Sequence, residues 1–292
     1  MEEEKIIKAG KIAVQVKEYA KSIIKEGTPL LEIAEKIDKK IHELGGKPAF
    51  PVNLCMDNIA AHYTPSHDDK TLAGGLLKVD IGIHIDGWIA DTAFSLDLEN
   101  SAENKKLIQA SEKALENVEK IISKKTTLLE IGKLVEKTIN AAGFNPIANL
   151  SGHSMEQYDL HAGISIPNVD NNSNIELETG LYAIEPFATN GNGKIHDGVT
   201  GNIYILANPK NHRNPFAREV LEYIGETYGQ MPFASRWVIK KFGTRALLAL
   251  RQLESEEILH HYPTLVEEKG KLVSQAENTF LIRKDKVIVT TK

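Results

Sequence analysis

The chain has one cysteine, Cys55, among its 292 residues, and a single thiol cannot close an intramolecular disulfide. Long apolar runs are missing too. No uninterrupted stretch approaches the roughly 20 residues that a bilayer span needs, which excludes a transmembrane helix. The opening residues Met1-Glu2-Glu3-Glu4-Lys5 lack the basic segment and following apolar stretch of a secretory signal. These absences point to a reducing cytoplasm and no membrane. Positive charge is also in short supply: 35 Lys and Arg stand against 40 Asp and Glu, a net charge of -5. No direct nucleic-acid binding is therefore expected, and the run Ile239-Lys240-Lys241 reads as solvated surface. Neither a low-complexity tract nor a flexible linker divides the chain; Asp170-Asn171-Asn172-Ser173-Asn174 is short and polar and reads as a surface loop.

What is present is the composition of a soluble globular protein, 41% hydrophobic and 26% charged, with length enough for a substantial core. An acidic motif occurs in it twice. Gly75-Leu76-Leu77-Lys78-Val79-Asp80 precedes Ala90-Asp91-Thr92-Ala93-Phe94, and Gly180-Leu181-Tyr182-Ala183-Ile184-Glu185 precedes Ala276-Glu277-Asn278-Thr279-Phe280. Both copies read Gly-Leu-x-x-(Val/Ile)-acid, then Ala-acid-x-x-Phe. Around the first copy, Val79 to Ile85 alternates as a half-buried strand and Asp86-Gly87 is a favoured hairpin turn. That register puts Asp80 opposite position 93 and makes Asp91 its diagonal neighbour on the same face. Burying an isolated carboxylate costs several kcal/mol or more, so four of them demand a large compensating positive charge.

The duplication extends upstream. Ile23-Ile24-Lys25-Glu26-Gly27-Thr28-Pro29-Leu30-Leu31-Glu32-Ile33 aligns with Ile121-Ile122-Ser123-Lys124-Lys125-Thr126-Thr127-Leu128-Leu129-Glu130-Ile131. Each half reads as two helices and then strands, with Ile33, Ile37, Ile41 and Leu44 at helical spacing before Gly45-Gly46, and Leu134, Thr138 and Ala141 before Gly143. The fold class expected is α/β with α+β character: one domain, 1–292, of two pseudo-symmetric halves with the four acids at their junction. Ten residues separate the first pair of acids, whereas ninety-one separate Glu185 from Glu277. The added stretch has helix-compatible spacing over Phe216 to Tyr228, Arg236 to Phe242 and Thr244 to Leu253. It predicts a small helical subdomain over 207–266.

Four carboxylates with one imidazole suit a pair of divalent ions such as Mn, Fe(II) or Co(II), because oxygen-rich sites disfavour thiolate-loving metals. His153, in Ser151-Gly152-His153-Ser154 just after the second helical unit and ahead of the second acidic strand, supplies a candidate imidazole. Two such ions roughly 3.5 to 4 Å apart share a water and lower its pKa, which suggests hydrolysis.

Asp80, Asp91, His153, Glu185 and Glu277, with Ala60-Ala61-His62-Tyr63-Thr64-Pro65 and Leu160-His161-Ala162-Gly163-Ile164-Ser165-Ile166-Pro167, closely resemble the methionine aminopeptidases. The resemblance covers nearly the whole chain, and the insert resembles that of the type 2 class of archaea and eukaryotes. It implies a pita-bread fold around a dinuclear metal site (Co, Mn, Fe or similar) and removal of the initiator methionine from nascent proteins, small second residues being preferred. By motif match, Asp91 and Glu277 bridge both ions, Asp80 chelates one, and His153 with Glu185 completes the other. Glu185 is then the proton shuttle, while His62 and His161 contact substrate and stabilise the tetrahedral intermediate. The same match implies a methionine pocket of Phe50, Leu160 and Tyr262, with His196 nearby, and a monomer. A helical lobe beside the cleft could also dock on the ribosome. Asn278 departs from the family's usual Glu-His-Thr, from which a change of supporting hydrogen bonds is expected. Two rivals stand beside this reading: a proline-specific peptidase of the same fold, and a non-catalytic relative that binds protein or RNA through its helical lobe.

Overall fold

Leu77, Val79, Ile81 and Ile83 alternate along the strand Leu76–Ile85 and pack against two helices, which leaves Lys78, Asp80, Gly82 and His84 on the opposite face. The computed structural model describes all 292 residues. The helices are α1 (Glu3–Ile23) and α2 (Leu30–Glu43), which contribute Ile12, Val16, Ile33, Ile37 and Ile41 to this first core. Leu76–Ile85 forms a long antiparallel hairpin with Trp88–Asp97, and its other edge pairs with Lys47–Pro48 and Asn53–Met56. Asp86 and Gly87 both adopt positive φ, 47° and 85°, as a two-residue turn with the right-handed strand twist requires.

The second half repeats the plan. Helices α3 (Ala102–Ile121) and α4 (Leu128–Ala141) bury Leu107, Leu115, Ile131 and Val135 against Tyr182, Ile184, Phe280 and Ile282. Those last four residues lie in a five-stranded sheet ordered Val287–Val289, Asn278–Ile282, Gly180–Ile184, Ser151–Met155, Ser165–Pro167. The duplicated segment before α2 and α4 starts the two helices differently. Pro29 precedes α2 with no side-chain cap, whereas Thr127 and Glu130 close a reciprocal capping box on α4. A further cluster with Phe50 and Trp88 from the first half and Met155, Leu181, Ala183 and Leu281 from the second joins the halves.

The long segment between Glu185 and Glu277 holds α5 (Pro215–Thr227), α6 (Ser235–Phe242) and α7 (Ala246–Ser255). They pack through Val220, Ile224, Val238, Leu250 and Leu253 over a sheet of Ile203–Leu206, Phe233–Ala234 and Leu259–Tyr262. The ordered unit thus begins and ends on paired strands, a few residues ahead of the 207–266 that helical periodicity outlines. Arg236, 5% exposed, fastens it to the first half: Nη2 donates to Asp38 Oδ2 of α2 at 2.9 Å, and Nη1 donates to Thr64 Oγ1 at 2.6 Å. Trp237 Nε1 donates to the same Asp38 oxygen at 2.7 Å. Arg236→Met leaves that carboxylate short of its cation and is expected to destabilise the protein by about 3–5 kcal/mol, read from urea unfolding. A loss below about 1 kcal/mol would show that the pair contributes only as an exposed ion pair does.

Candidate metal centre and cleft

The hairpin register delivers the first two acids: Asp80 pairs with Ala93 and Asp91 with Gly82, so both carboxylates leave the same face. In the second sheet the last paired residues are Ile184 and Asn278, and Glu185 and Glu277 are the residues immediately beyond them. The two sheets meet edge to edge here. Glu277 N donates to Ala93 O at 3.0 Å, Thr92 Oγ1 donates to Glu277 O at 3.0 Å, and Thr279 Oγ1 donates to Asp91 O at 2.7 Å. His153 arrives from the strand Ser151–Met155, which lies so close to its neighbour that a Cβ on Gly152 would sit 2.3 Å from Ala183 O. Only glycine allows that approach.

Ligand atoms of Asp91, His153 and Glu277 all lie within 4.8 Å of one another. His153 Nε2 is 3.7 Å from Asp91 Oδ2 and 3.8 Å from Glu185 Oε1. Asp91 and Glu277 are each 2% exposed, and Asp80 and Glu185 are partly buried. Burial, against hydrogen bonds from Gln275 and Asp91, pushes Asp80 up to about 7. Burial and then the charges of Asp80 and Glu185 hold Asp91 well above the carboxylate range. Glu185 is raised by burial and Asp80, and Glu277 by burial and then Asp91, Glu185 and Asp80. His153 moves the other way, to about 3, because burial and then His161 disfavour its imidazolium.

This donor set fits divalent cations. Asp80 Oδ1, Asp91 Oδ1 and Glu277 Oε2 are buried with no hydrogen-bond partner, and the adjoining imidazole is neutral. The nearby cation, Lys17, leaves the acids uncompensated: its ammonium donates to Thr291 O at 2.8 Å and Thr92 Oγ1 at 3.3 Å, and burial lowers it to about 8. Hard carboxylate oxygens with one imidazole nitrogen match Mn, Fe(II) or Co(II) chemistry.

Above the acids lies a cleft of about 380 Å³ whose walls include Phe50, His62, Leu160, His161 and Tyr262, together with Asp80, Asp91, His153, Glu185 and Glu277. Phe50 lies across the hairpin at Gly82, where a Cβ would come 2.2 Å from its ring. His62 holds φ at 66°, and its Nδ1 donates to Pro263 O at 3.3 Å, so Nε2 is an acceptor. Burial first, opposed by that bond, lowers His62 to about 4. The His161 ring stands 4.5 Å from that of His153, centroid to centroid, and is lowered by burial.

His196 is the one expected pocket residue that the cleft does not gather. It is exposed, on the short strand His196–Asp197 opposite Val266. Motif position carries no information about side-chain direction on a two-residue edge strand, and here that direction is outward. Three contributors went unread in the sequence: Ile203 and Leu265, which add apolar wall from the insert's margins, and Gln275, which donates to Glu185 Oε2 at 3.1 Å. Gln275 had a signal, since it stands two residues before Glu277 and extended chain alternates with period two. Asn278 makes two hydrogen bonds, donating to Glu119 Oε1 at 2.9 Å and accepting from Thr291 Oγ1 at 3.0 Å.

Residues 4–208 match the profile of metallopeptidase family M24. The chain belongs to that family. Within M24, a methionine aminopeptidase of Methanocaldococcus jannaschii is 47% identical over 99% of this chain and 98% of its own. One from Thermococcus onnurineus is 46% identical over 99% of each. The crystal structure of a methionine aminopeptidase from Thermotoga maritima superposes with a TM-score of 0.72, at 20% identity, covering 99% of this chain and 96% of that one. The M24 fold thus bears out the α/β pita-bread expectation, and the match bears out a metal-dependent hydrolase. No helix is long and apolar enough to cross a membrane.

Proposed function

We infer that this protein is a metal-dependent aminopeptidase that removes the initiator methionine from nascent polypeptides. The observation that carries this reading is the convergence of four carboxylates on one neutral imidazole at the floor of a cleft walled by Phe50, Leu160 and Tyr262. Asp91 and Glu277, the most buried of the four acids, would bridge two ions; Asp80 would hold one and His153 with Glu185 the other. When bound, such ions supply a water of lowered pKa and polarise the scissile carbonyl.

The chain's own residues complete the chemistry. Glu185, ionised as a ligand to the bound ions would be, takes the proton of the attacking water and passes it to the departing amine. His62 has committed Nδ1 to Pro263 O, so its Nε2 accepts from a substrate N–H. His161, whose ring makes no hydrogen bond to the protein, is the better donor to the oxygen that becomes anionic. The apolar walls accept an unbranched thioether and a small following residue. Residues 207–266 act as a lobe of the single catalytic domain and set one side of this pocket through Tyr262. The expected setting is cytoplasmic, as a monomer, where new N-termini emerge; a ribosome contact through the lobe would appear as salt-sensitive co-sedimentation.

Chelator-treated protein given Mn(II) or Co(II) should release free methionine from Met-Ala-Ser and far less from Met-Lys-Ser. Cleavage of Ala-Pro peptides instead would transfer the assignment to a proline-specific peptidase. No release from a folded protein with two ions bound would favour a binding role.

A further inference from the structure

Gln275 is 1% exposed and takes no part in the chemistry above. Its main chain is held from both halves of the fold. The amide N–H donates to Ser95 Oγ at 2.9 Å, and that hydroxyl donates back to Gln275 O at 2.8 Å. On its other side Gln275 pairs with Phe187 in an antiparallel ladder. Ser95 belongs to the first half's hairpin and Phe187 to the second half, so the residue sits where the two sheets are joined.

Its side chain reaches the candidate metal centre. Nε2 lies 3.1 Å from Glu185 Oε2, the one side-chain hydrogen bond to that carboxylate, while Glu185 Oε1 faces His153 Nε2 at 3.8 Å. The two oxygens of Glu185 therefore have divided surroundings: one looks toward the ion-binding space and the other is held by an amide.

We propose that Gln275 is a positioning residue whose amide fixes the carboxylate of Glu185, which would hold one ion of the pair, in the orientation that the second ion needs to bind. This rests on the dinuclear reading above. Outer hydrogen bonds of this kind orient ligating carboxylates, and their loss typically weakens metal binding roughly 10–100-fold.

The test is calorimetric titration of chelator-stripped full-length protein with Mn(II), alongside Met-Ala-Ser kinetics. The wild type should take up two ions. Gln275→Met keeps the side chain's length and removes the donor. It should hold the first ion within about threefold of wild type, bind the second roughly 10–100-fold more weakly, and lower kcat while leaving KM within about twofold. The melting temperature of the metal-free protein should be unchanged, which separates positioning from general destabilisation. Gln275→Asn retains the amide but withdraws it by one methylene; it should show the same selective loss, and it carries the test if the Met variant does not fold. Two ions bound with wild-type affinities in either folded variant would overturn the proposal. If the wild type itself takes fewer than two ions, the dinuclear reading fails and this inference falls with it.

Discussion

Glu185→Gln is expected to lower kcat on Met-Ala-Ser by a factor on the order of 10² to 10⁴, the usual range for removing a positioned proton carrier. The substitution is nearly isosteric, and the new carbonyl oxygen can still accept from Gln275 Nε2, which lies 3.1 Å away in the wild type. An amide cannot take up the proton of the attacking water or deliver it to the leaving amine. Folding should survive, because the change also removes one of the mutually repelling acids, which burial and then Asp80 hold above the ordinary range. The measurement is steady-state kinetics on protein stripped and reloaded with Mn(II), with the melting temperature as control. A kcat within a few-fold of wild type would take Glu185 out of the proton transfer.

Asp91→Asn should act on the opposite balance, stabilising the metal-free protein and abolishing its response to metal. Asp91 is raised by burial and then by Asp80 and Glu185, so its ionised form is the unfavourable one in the fold. A carboxyl whose folded pKa lies above its unfolded value contributes stability that is complete below the unfolded value, and that stability is lost as pH climbs through the folded one. For Asp80, raised from 3.8 to about 7, the window runs across that span. Metal-free wild type should thus lose melting temperature between about pH 4 and 7, and Asp91→Asn should flatten the decline. Divalent metal restores the balance in the wild type: at a hundredfold excess over Kd one ion contributes about 2.7 kcal/mol, on the order of 5 °C or more in melting temperature. With one of its two bridging acids neutralised, the variant should gain little from Mn(II). A thermal scan of both proteins, with and without Mn(II) at pH 5 and 7.5, gives the answer. Equal metal-induced shifts would mean that Asp91 is not a ligand.

The parts of this fold legible in the sequence were those governed by short-range periodicity. Asp86-Gly87 with alternation on either side set the register of Asp80 and Asp91 before any coordinates, because turn chemistry and the period of two act within a dozen residues. The helix pairs were readable from Ile33, Ile37 and Ile41 and from the duplicated Leu-Leu-Glu-Ile, since an apolar stripe at helical spacing has to be buried. Gln275 stands two residues before Glu277, yet a glutamine draws no notice until the carboxylate it serves is beside it.

Sequence alone, then, determined the repeated half, the acids on or beside its strands, the helical character of the insert and the family resemblance, all of which are written in residue order. Tertiary structure alone decided that His62 spends Nδ1 on Pro263 and that His196 is exposed outside the cleft. It also decided that Arg236 of the insert anchors on Asp38. These depend on contacts between residues up to 201 positions apart, whose geometry follows from how two sheets and a lobe settle against one another. Local pattern does not encode that settling, because it is the sum of many small packing choices over the whole core.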